Sequence, residues 1–415
     1  MNDNNDKLII LTKTFPFSSG EEFLEEELMI LCNRFKSVLI ISTAVPYRAK
    51  QTRSVPSNVD VIVLRETSNK YVRYCKYLFK GLFGITNSDL KGDITGKKIL
   101  SRLMSIYTYG RCKSICNKII KNTRFSKLLN DNNCNVLYSY WFYDLPYISV
   151  LLRRHFINYK FVLVSRAHGY DLYDYRNICG YIPFRSIVMS EINKVFTCSK
   201  NGKAYLIKKY SKFKNKIDVS YLGTKDCGMN SNYKNSCFHI VTCSAIIPLK
   251  RLLLLAKALE IVEKQGFNFK WTCIGDGPLL KELKEYTNTH ITNNNVIFMG
   301  HLLHDEVLKQ LKALTIDLFI NVSETEGLPV SIMEAISFGV PVLATDVGGT
   351  SEIVIPSLTG ELVSKNITPK ELAEEIIRCM SICFDRECIR LFWKTNFESK
   401  NNYNNFANQI SDLTK

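Results

Sequence analysis

Short runs dense in β-branched and other apolar residues recur along this sequence, each followed by a stretch with helical spacing. That alternation narrows the fold more than any other feature. In the first half the runs are LIILT at 8–12, SVLIIS at 37–42, VDVIVL at 59–64, FVLVS at 161–165 and VFTCS at 195–199. The second half offers HIVTCSA from His239, KWTCIG from Lys270, VIFMG from Val296, LFINVS from Leu318 and PVLATD from Pro341. Strands that are apolar without polar alternation are buried on both faces, as in a parallel sheet covered by helices. At 415 residues the chain exceeds what one hydrophobic core organises. The expectation is α/β: two doubly wound domains, with ligand at the carboxyl ends of their strands, facing a cleft. The polar, turn-rich TKDCGMNSNYKNS at 224–236 reads as a linker between domains at 1–223 and 237–388. Residues 389–415 form a helical segment with Phe392, Trp393, Phe397 and Phe406 as anchors, returning to the first domain.

Charge separates the halves. Residues 1–235 hold 38 Lys and Arg against 18 Asp and Glu, a balance of +20; the remainder holds 17 against 21, a balance of −4. A strongly basic half suits a polyanionic partner, either nucleic acid or an anionic membrane surface. No nucleic-acid recognition motif accompanies the charge. Two segments, NKYVRYCKYLFKGLFG at 69–84 and the stretch from Lys97 to Leu129, mix basic and apolar residues as an interfacial helix would. A core helix with a solvated basic face has the same composition. No run approaches 18 consecutive apolar residues, and the start, MNDNNDKLIILTKTF, lacks the pattern of a signal peptide. The 14 cysteines are scattered without a Cys-x-x-Cys pair, which fits a reduced cytosolic setting. Cys112/Cys116 and Cys379/Cys383, four apart, read as small buried pairs on helices.

The most informative stretch is NVSETEGLPVSIMEAISFGVPVLATDVGGTSEIV, Asn321 to Val354. A strand ends, ETEGLP turns, and VSIMEAISFGV reads as a helix with Glu334 in its second turn. Gly327 lets the backbone approach a ligand, and the open N–H groups of a helix start suit a phosphate. Glu326 and Glu334 are acceptors for sugar or ribose hydroxyls, although helix capping and plain solvation are the structural alternatives. SAIIPLKRLLLLAKAL, from Ser244, sets Lys250 and Arg251 at the start of an apolar helix, where the dipole disfavours cations unless an anion sits there. CIGDGPLLKEL, from Cys273, makes a tight turn at Gly275 and Gly277 but is not the dinucleotide fingerprint.

In the first half, Gly20 opens a loop after the first strand. Glu21, Glu22, Glu25, Glu26 and Glu27 follow as an acidic pair of helical turns. SRAHGYDLYDY groups Arg166, His168 and Asp171 at one strand end. His301 and His304 have the spacing of one helix face, but no further ligands complete a metal site, and no Asp-x-Asp clamp occurs. No metal and no cofactor are therefore expected.

Taken in order, these motifs resemble the retaining glycosyltransferases of family 4, which have the GT-B fold of two facing Rossmann-like domains. The likeness is specific from about His239 to Val363, where Glu326 and Glu334 match the E-x7-E signature. It is looser in the first half, through FPFSSGEEF, SYW at 139–141, RAHGYDLY and YLGT at 221–224. That set looks most like bacterial enzymes building O-antigen, capsule or other exopolysaccharides. The resemblance implies an acceptor-binding first domain and a second domain that binds a UDP- or GDP-sugar. Glu326 would contact donor-sugar hydroxyls, Glu334 the ribose, and His168 the transferring sugar. Lys250 would neutralise the diphosphate, helped by amides around Leu328 and Val330, with the Gly20 loop near the phosphates. Many members carry an arginine where this sequence has Ala245, and Arg251 would supply that charge. The implied acceptor is a lipid-linked saccharide at the cytoplasmic face of the bacterial inner membrane. The same architecture serves sugar-nucleotide 2-epimerases and silent partner subunits, which remain alternatives.

Overall fold

A computed structural model describes residues 6–18, 20–129, 134–230, 237–292 and 295–415. Part of the expected linker, 231–236, lies outside the described residues. The chain forms two units, residues 1–220 with 403–415 and residues 221–402.

Among the described residues the first unit contains seven strands: β1 (Lys7–Thr12), β2 (Ser37–Pro46), β3 (Val59–Glu66), β4 (Asn135–Ser139), β5 (Phe161–Ala167), β6 (Lys194–Thr197) and β7 (Ile217–Val219). All pair in parallel in the order β3-β2-β1-β4-β5-β6-β7. The helices are α1 (Leu24–Arg34), α2 (Lys70–Leu82), α3 (Ser88–Ile94), α4 (Ile99–Ile120), α5 (Thr123–Leu128), α6 (Leu145–His155), α7 (Arg185–Glu191) and α8 (Lys200–Lys209). The two-residue period of a strand sends alternate side chains to opposite faces. Leu8 and Ile10 pack with Leu24, Leu28, Phe406 and Ile410, whereas Ile9 and Leu11 join Ile115, Ile119, Leu145 and Ile148. A continuous apolar run is therefore what a sheet buried on both sides demands.

The second unit repeats the plan with β8 (Phe238–Cys243), β9 (Phe269–Ile274), β10 (Val296–Gly300), β11 (Leu318–Asn321), β12 (Val342–Thr345) and β13 (Gly360–Val363). These lie parallel in the order β10-β9-β8-β11-β12-β13. Its helices are α9 (Leu252–Lys264), α10 (Leu280–His290), α11 (His304–Ala313), α12 (Val330–Ser337), α13 (Pro369–Met380) and α14 (Arg386–Phe397). α13 opens on a capping box in which Thr368 and Glu371 satisfy each other's backbone N–H groups. Finally α15 (Ser399–Asp412) crosses the division at Asn402/Tyr403.

Several local expectations are corrected. α1 opens at Leu24, so Glu21 and Glu22 precede it. Arg166 does not join His168 and Asp171: it is still within β5, on the face it shares with Val162 and Val164, and there it pairs with buried Glu27 at 2.9 Å and lies 3.9 Å from the Phe406 ring, whereas His168 and Asp171 stand in the loop beyond the strand. His301 lies before α11, so His301 and His304 share no helix face. Cys112 and Cys116 are buried on α4, but Cys383 falls beyond α13 and is exposed. No helix among the described residues is long and apolar enough to cross a membrane.

Candidate functional site

In both sheets the strand succession reverses beside the first strand, between β1 and β4 and between β8 and β11. Loops leaving the carboxyl ends of such neighbours diverge to opposite faces and open a crevice, the usual ligand position of an open parallel sheet.

In the second unit the diverging loops carry the expected residues. After β8 the chain makes a short turn at Pro248–Lys250, takes a left-handed conformation at Arg251 (φ 50°), and enters α9. After β11 it runs through Ser323–Pro329 into α12. The loops are tied by the Glu324 N–H donating to the Leu249 carbonyl at 2.8 Å. Lys250 Nζ lies 2.5 Å from Glu326 Oε1, and Asn321 Nδ2 donates to the same oxygen at 3.3 Å. Arg251 takes another path. Its guanidinium donates to the carbonyls of Val322 (2.7 Å), Lys365 (2.6 Å) and Ser323 (3.5 Å), bracing the loop without reaching the Lys250–Glu326 pair.

Gly275 and Gly277 serve this loop from behind. A Cβ on Gly275 would meet the Ser244 carbonyl oxygen at 1.9 Å, and one on Gly277 the Ile246 oxygen at 2.4 Å. Gly327 accepts the Gly349 N–H at 2.8 Å, which fastens the Glu326 loop to the turn after β12. α12 begins at Val330, so its first-turn N–H groups have no preceding helical carbonyl; Leu328, just ahead of it, is buried.

Glu334 is buried, and its Oε1 lies 2.6 Å from His304 Nε2 at the start of α11. Burial first, and the Glu334 charge second, push the Cys243 thiol at the end of β8 up to about 12. In the sequence His304 stands out only as half of a metal spacing. A polar residue opening a helix just after β10 was the available signal.

The first unit's residues stand at its own reversal point. Gly20 has a positive φ of 85° and open space around it. Glu21 folds back beneath the loop after β1 and accepts the N–H groups of Lys13 (2.8 Å), Thr14 (2.9 Å) and Phe15 (2.8 Å), as well as Trp141 Nε1 (2.8 Å). Next to the end of β5, the buried Asp171 carboxylate accepts N–H groups from Phe142 (2.8 Å), His168 (2.9 Å) and Gly169 (2.9 Å), and lies 3.4 Å from His168 Nδ1. Burial pushes the Asp171 carboxyl upward, yet the His168 side chain and the backbone N–H groups hold it below its ordinary value. His168 Nε2 is buried and has no hydrogen-bond partner among the described residues.

Fold and crevices together define a protein of two Rossmann-like parallel-sheet units. Residues 232–386 match the family described as "Glycosyl transferases group 1". Protein CapJ of Staphylococcus aureus is 33% identical over 129 residues, 29% of this chain and 32% of that protein. The amylovoran biosynthesis glycosyltransferase AmsK of Erwinia amylovora is 26% identical over 35% of this chain and 38% of its own length. The matched stretch thus spans about a third of these curated relatives. Among solved structures, the lipopolysaccharide outer core galactosyltransferase WaaB superimposes with a TM-score of 0.67 at 13% identity, covering 98% of this chain and 99% of that one. HepE of Anabaena in complex with UDP gives 0.64 at 15% identity, covering 98% and 100%. At such identities the likeness is one of fold.

Proposed function

We propose that this protein is a retaining, metal-independent glycosyltransferase of family 4. It moves a hexosyl group from a UDP- or GDP-sugar to a lipid-linked saccharide during synthesis of a bacterial cell-surface polysaccharide. The observation that carries this reading is the Lys250–Glu326 pair, set at the strand reversal of the unit that matches the group 1 family. The Anabaena neighbour's complex with UDP supports a nucleotide donor.

In this reading Glu326 accepts hydroxyls of the donor sugar and Glu334 the ribose hydroxyls. Lys250, the amides around Leu328 and Val330, and the field of Arg251 offset the diphosphate charge that grows as the glycosidic bond breaks. Gly275, Gly277 and Gly327 keep the supporting loops closely packed. Donor arrival exchanges partners: Lys250 leaves a carboxylate for a phosphate oxygen, and Glu326 leaves an ammonium for a hydroxyl. Neither charge is stranded unpaired at any stage, which avoids the desolvation cost of a lone buried ion. The family resemblance assigns His168 to the sugar being transferred and Gly20 to the phosphates.

The basic first unit docks on the cytoplasmic face of the inner membrane. α2 carries no acidic residue in its sequence KYVRYCKYLFKGL and leaves Phe79 63% exposed, with Phe83 at 76% beyond its end and Ile99 at 77% opening α4. Lys70, Arg73, Lys76, Lys80, Lys98 and Arg102 flank these apolar groups. Apolar insertion surrounded by cations matches an anionic bilayer.

The test is donor hydrolysis and thermal-shift binding with purified protein across UDP- and GDP-sugars in EDTA. A donor that stabilises the protein and is slowly hydrolysed is the expected result, and it names the nucleotide. Silence across the whole panel overturns the assignment.

A further inference from the structure

The reversal point of the first sheet holds a lysine, Lys13, that makes no ion pair among the described residues. Lys13 directly follows β1, Trp141 follows β4 by two residues, and His168 and Tyr170 follow β5. These strands are neighbours in the order β1-β4-β5, so their loops meet at one edge. The Lys13 ammonium hydrogen-bonds the Tyr170 hydroxyl and lies 4.6 Å from that ring's centre, 5.7 Å from Trp141 and 5.9 Å from Tyr143. Aromatic faces attract a cation but do not neutralise it.

The carboxylates nearby are committed elsewhere. Glu21 is saturated by three backbone N–H groups and the Trp141 indole, and Asp171 by backbone N–H groups and His168. Asp144 pairs with Arg111, which also lies 3.7 Å from Glu66. Among the described residues no ion pair forms at Lys13; burial lowers its affinity for the proton, and Asp144, Asp171 and Glu21 act on it only through space, without direct contact. His168 Nε2 is likewise without a partner, 4.6 Å separating its ring centre from that of Trp141. In the second unit the equivalent reversal carries Lys250 already paired with Glu326. A charged donor left unpaired at the ligand edge of a parallel sheet is best explained by a ligand that brings the missing anion.

We propose that Lys13, Trp141, Tyr143, His168 and Tyr170 form a subsite for a saccharide bearing an acidic group, a carboxylate or a phosphate. The partly buried Trp141, Tyr143 and Tyr170 rings offer their exposed edges and faces to the C–H side of a sugar, while Lys13 takes the anion and the Tyr170 hydroxyl and His168 Nε2 reach neighbouring oxygens. The inference deepens the glycosyltransferase reading by naming the charge class of the sugar the first unit binds, and its readout is independent of the donor.

Tryptophan fluorescence of the full chain tests it, because Trp271 and Trp393 are fully buried in the other unit while Trp141 is accessible. The probes are glucuronate, glucose 6-phosphate, inorganic phosphate and glucose. Either acidic sugar should change the emission at roughly tenfold lower concentration than glucose, the scale of one charge-assisted hydrogen bond. Glucuronate against glucose 6-phosphate tells carboxylate from phosphate, and a response to inorganic phosphate equal to that of both sugars would remove the saccharide from the proposal. Lys13→Met should erase the preference for acidic probes, Lys13→Arg should keep it, and Trp141→Phe should abolish the signal. Equal response to glucose, a preference surviving in Lys13→Met, or silence from every acidic probe overturns the proposal. The donor reading stands on Lys250, Glu326 and Glu334, and the probe titration on Lys13 and Trp141, which that reading does not use, so either can fail while the other stands.

Discussion

At the scale of single residues, the second unit's two glutamates differ in what restrains them. Glu326 is held by a cation that a donor would draw away, and Glu334 by a histidine that can stay in place. Glu326→Ala should reduce transfer by about 3 kcal/mol in the barrier, roughly a hundredfold or more, with the melting temperature retained. Near-normal turnover would refute the assignment. His304→Ala should weaken binding of the productive nucleoside diphosphate about fivefold by freeing the Glu334 carboxylate, with partial recovery in His304→Gln. Calorimetric titration decides it, and unchanged affinity would make His304 a bystander. Asp171 gives a pH-dependent case. Its carboxyl is held below the ordinary value of 3.8, so its stabilisation is complete above that value and is lost as pH falls through the lower folded-state value. The gap in melting temperature between the wild type and Asp171→Asn should therefore be widest at neutral pH and should narrow in strong acid.

Among elements, close backbone approaches hold the loops in place. Gly275 lies at φ 139° with the Ser244 carbonyl where a side chain would begin. Gly275→Ala should destabilise the second unit by about 2–3 kcal/mol and displace the loop carrying Lys250. Chemical denaturation with donor binding measured in parallel would show both effects, and a fully stable variant would contradict the packing described here. All ten strands expected from apolar runs are present, because burial on both faces writes itself into composition. β4, β7 and β13 were not among them. β7 spans only three residues, β13 (GELV) is partly exposed and carries Glu361 where an apolar residue would mark a strand, and Tyr138 and Ser139 of β4 use polar groups inside the sheet. The acidic run at 21–27 has the composition of two helical turns, yet the helix opens only at Leu24. The loop amides after β1 instead claimed Glu21 as their acceptor, which local propensity does not disclose.

For the whole molecule, charge distribution and exposed apolar groups lead to the same expectation. The +20 of residues 1–235 and the exposed aromatics of α2 should bind vesicles containing anionic lipid and release them as salt screens the attraction. Sedimentation with vesicles should show binding lost by several hundred millimolar salt on the Debye scale. Phe79→Ala with Phe83→Ala should weaken binding at low salt as well, since apolar insertion is then removed. Binding that ignores lipid charge would refute the docking surface.

The sequence by itself determined the class of fold and the two-sheet plan and singled out Glu326, Glu334 and Lys250 as candidates, because buried parallel strands and glycine turns leave a linear trace. Only the tertiary structure decided who partners whom. Pairing Lys250 with Glu326 requires strands 75 residues apart to become neighbours, as β8 and β11 do (318 − 243). It sent Arg251 to three carbonyls, gave Glu334 its histidine and left Lys13 among aromatic rings with no ion pair among the described residues. The reason is physical. A side chain's charge is fixed by its chemistry, but its counter-ion is fixed by which loops the sheet order brings together.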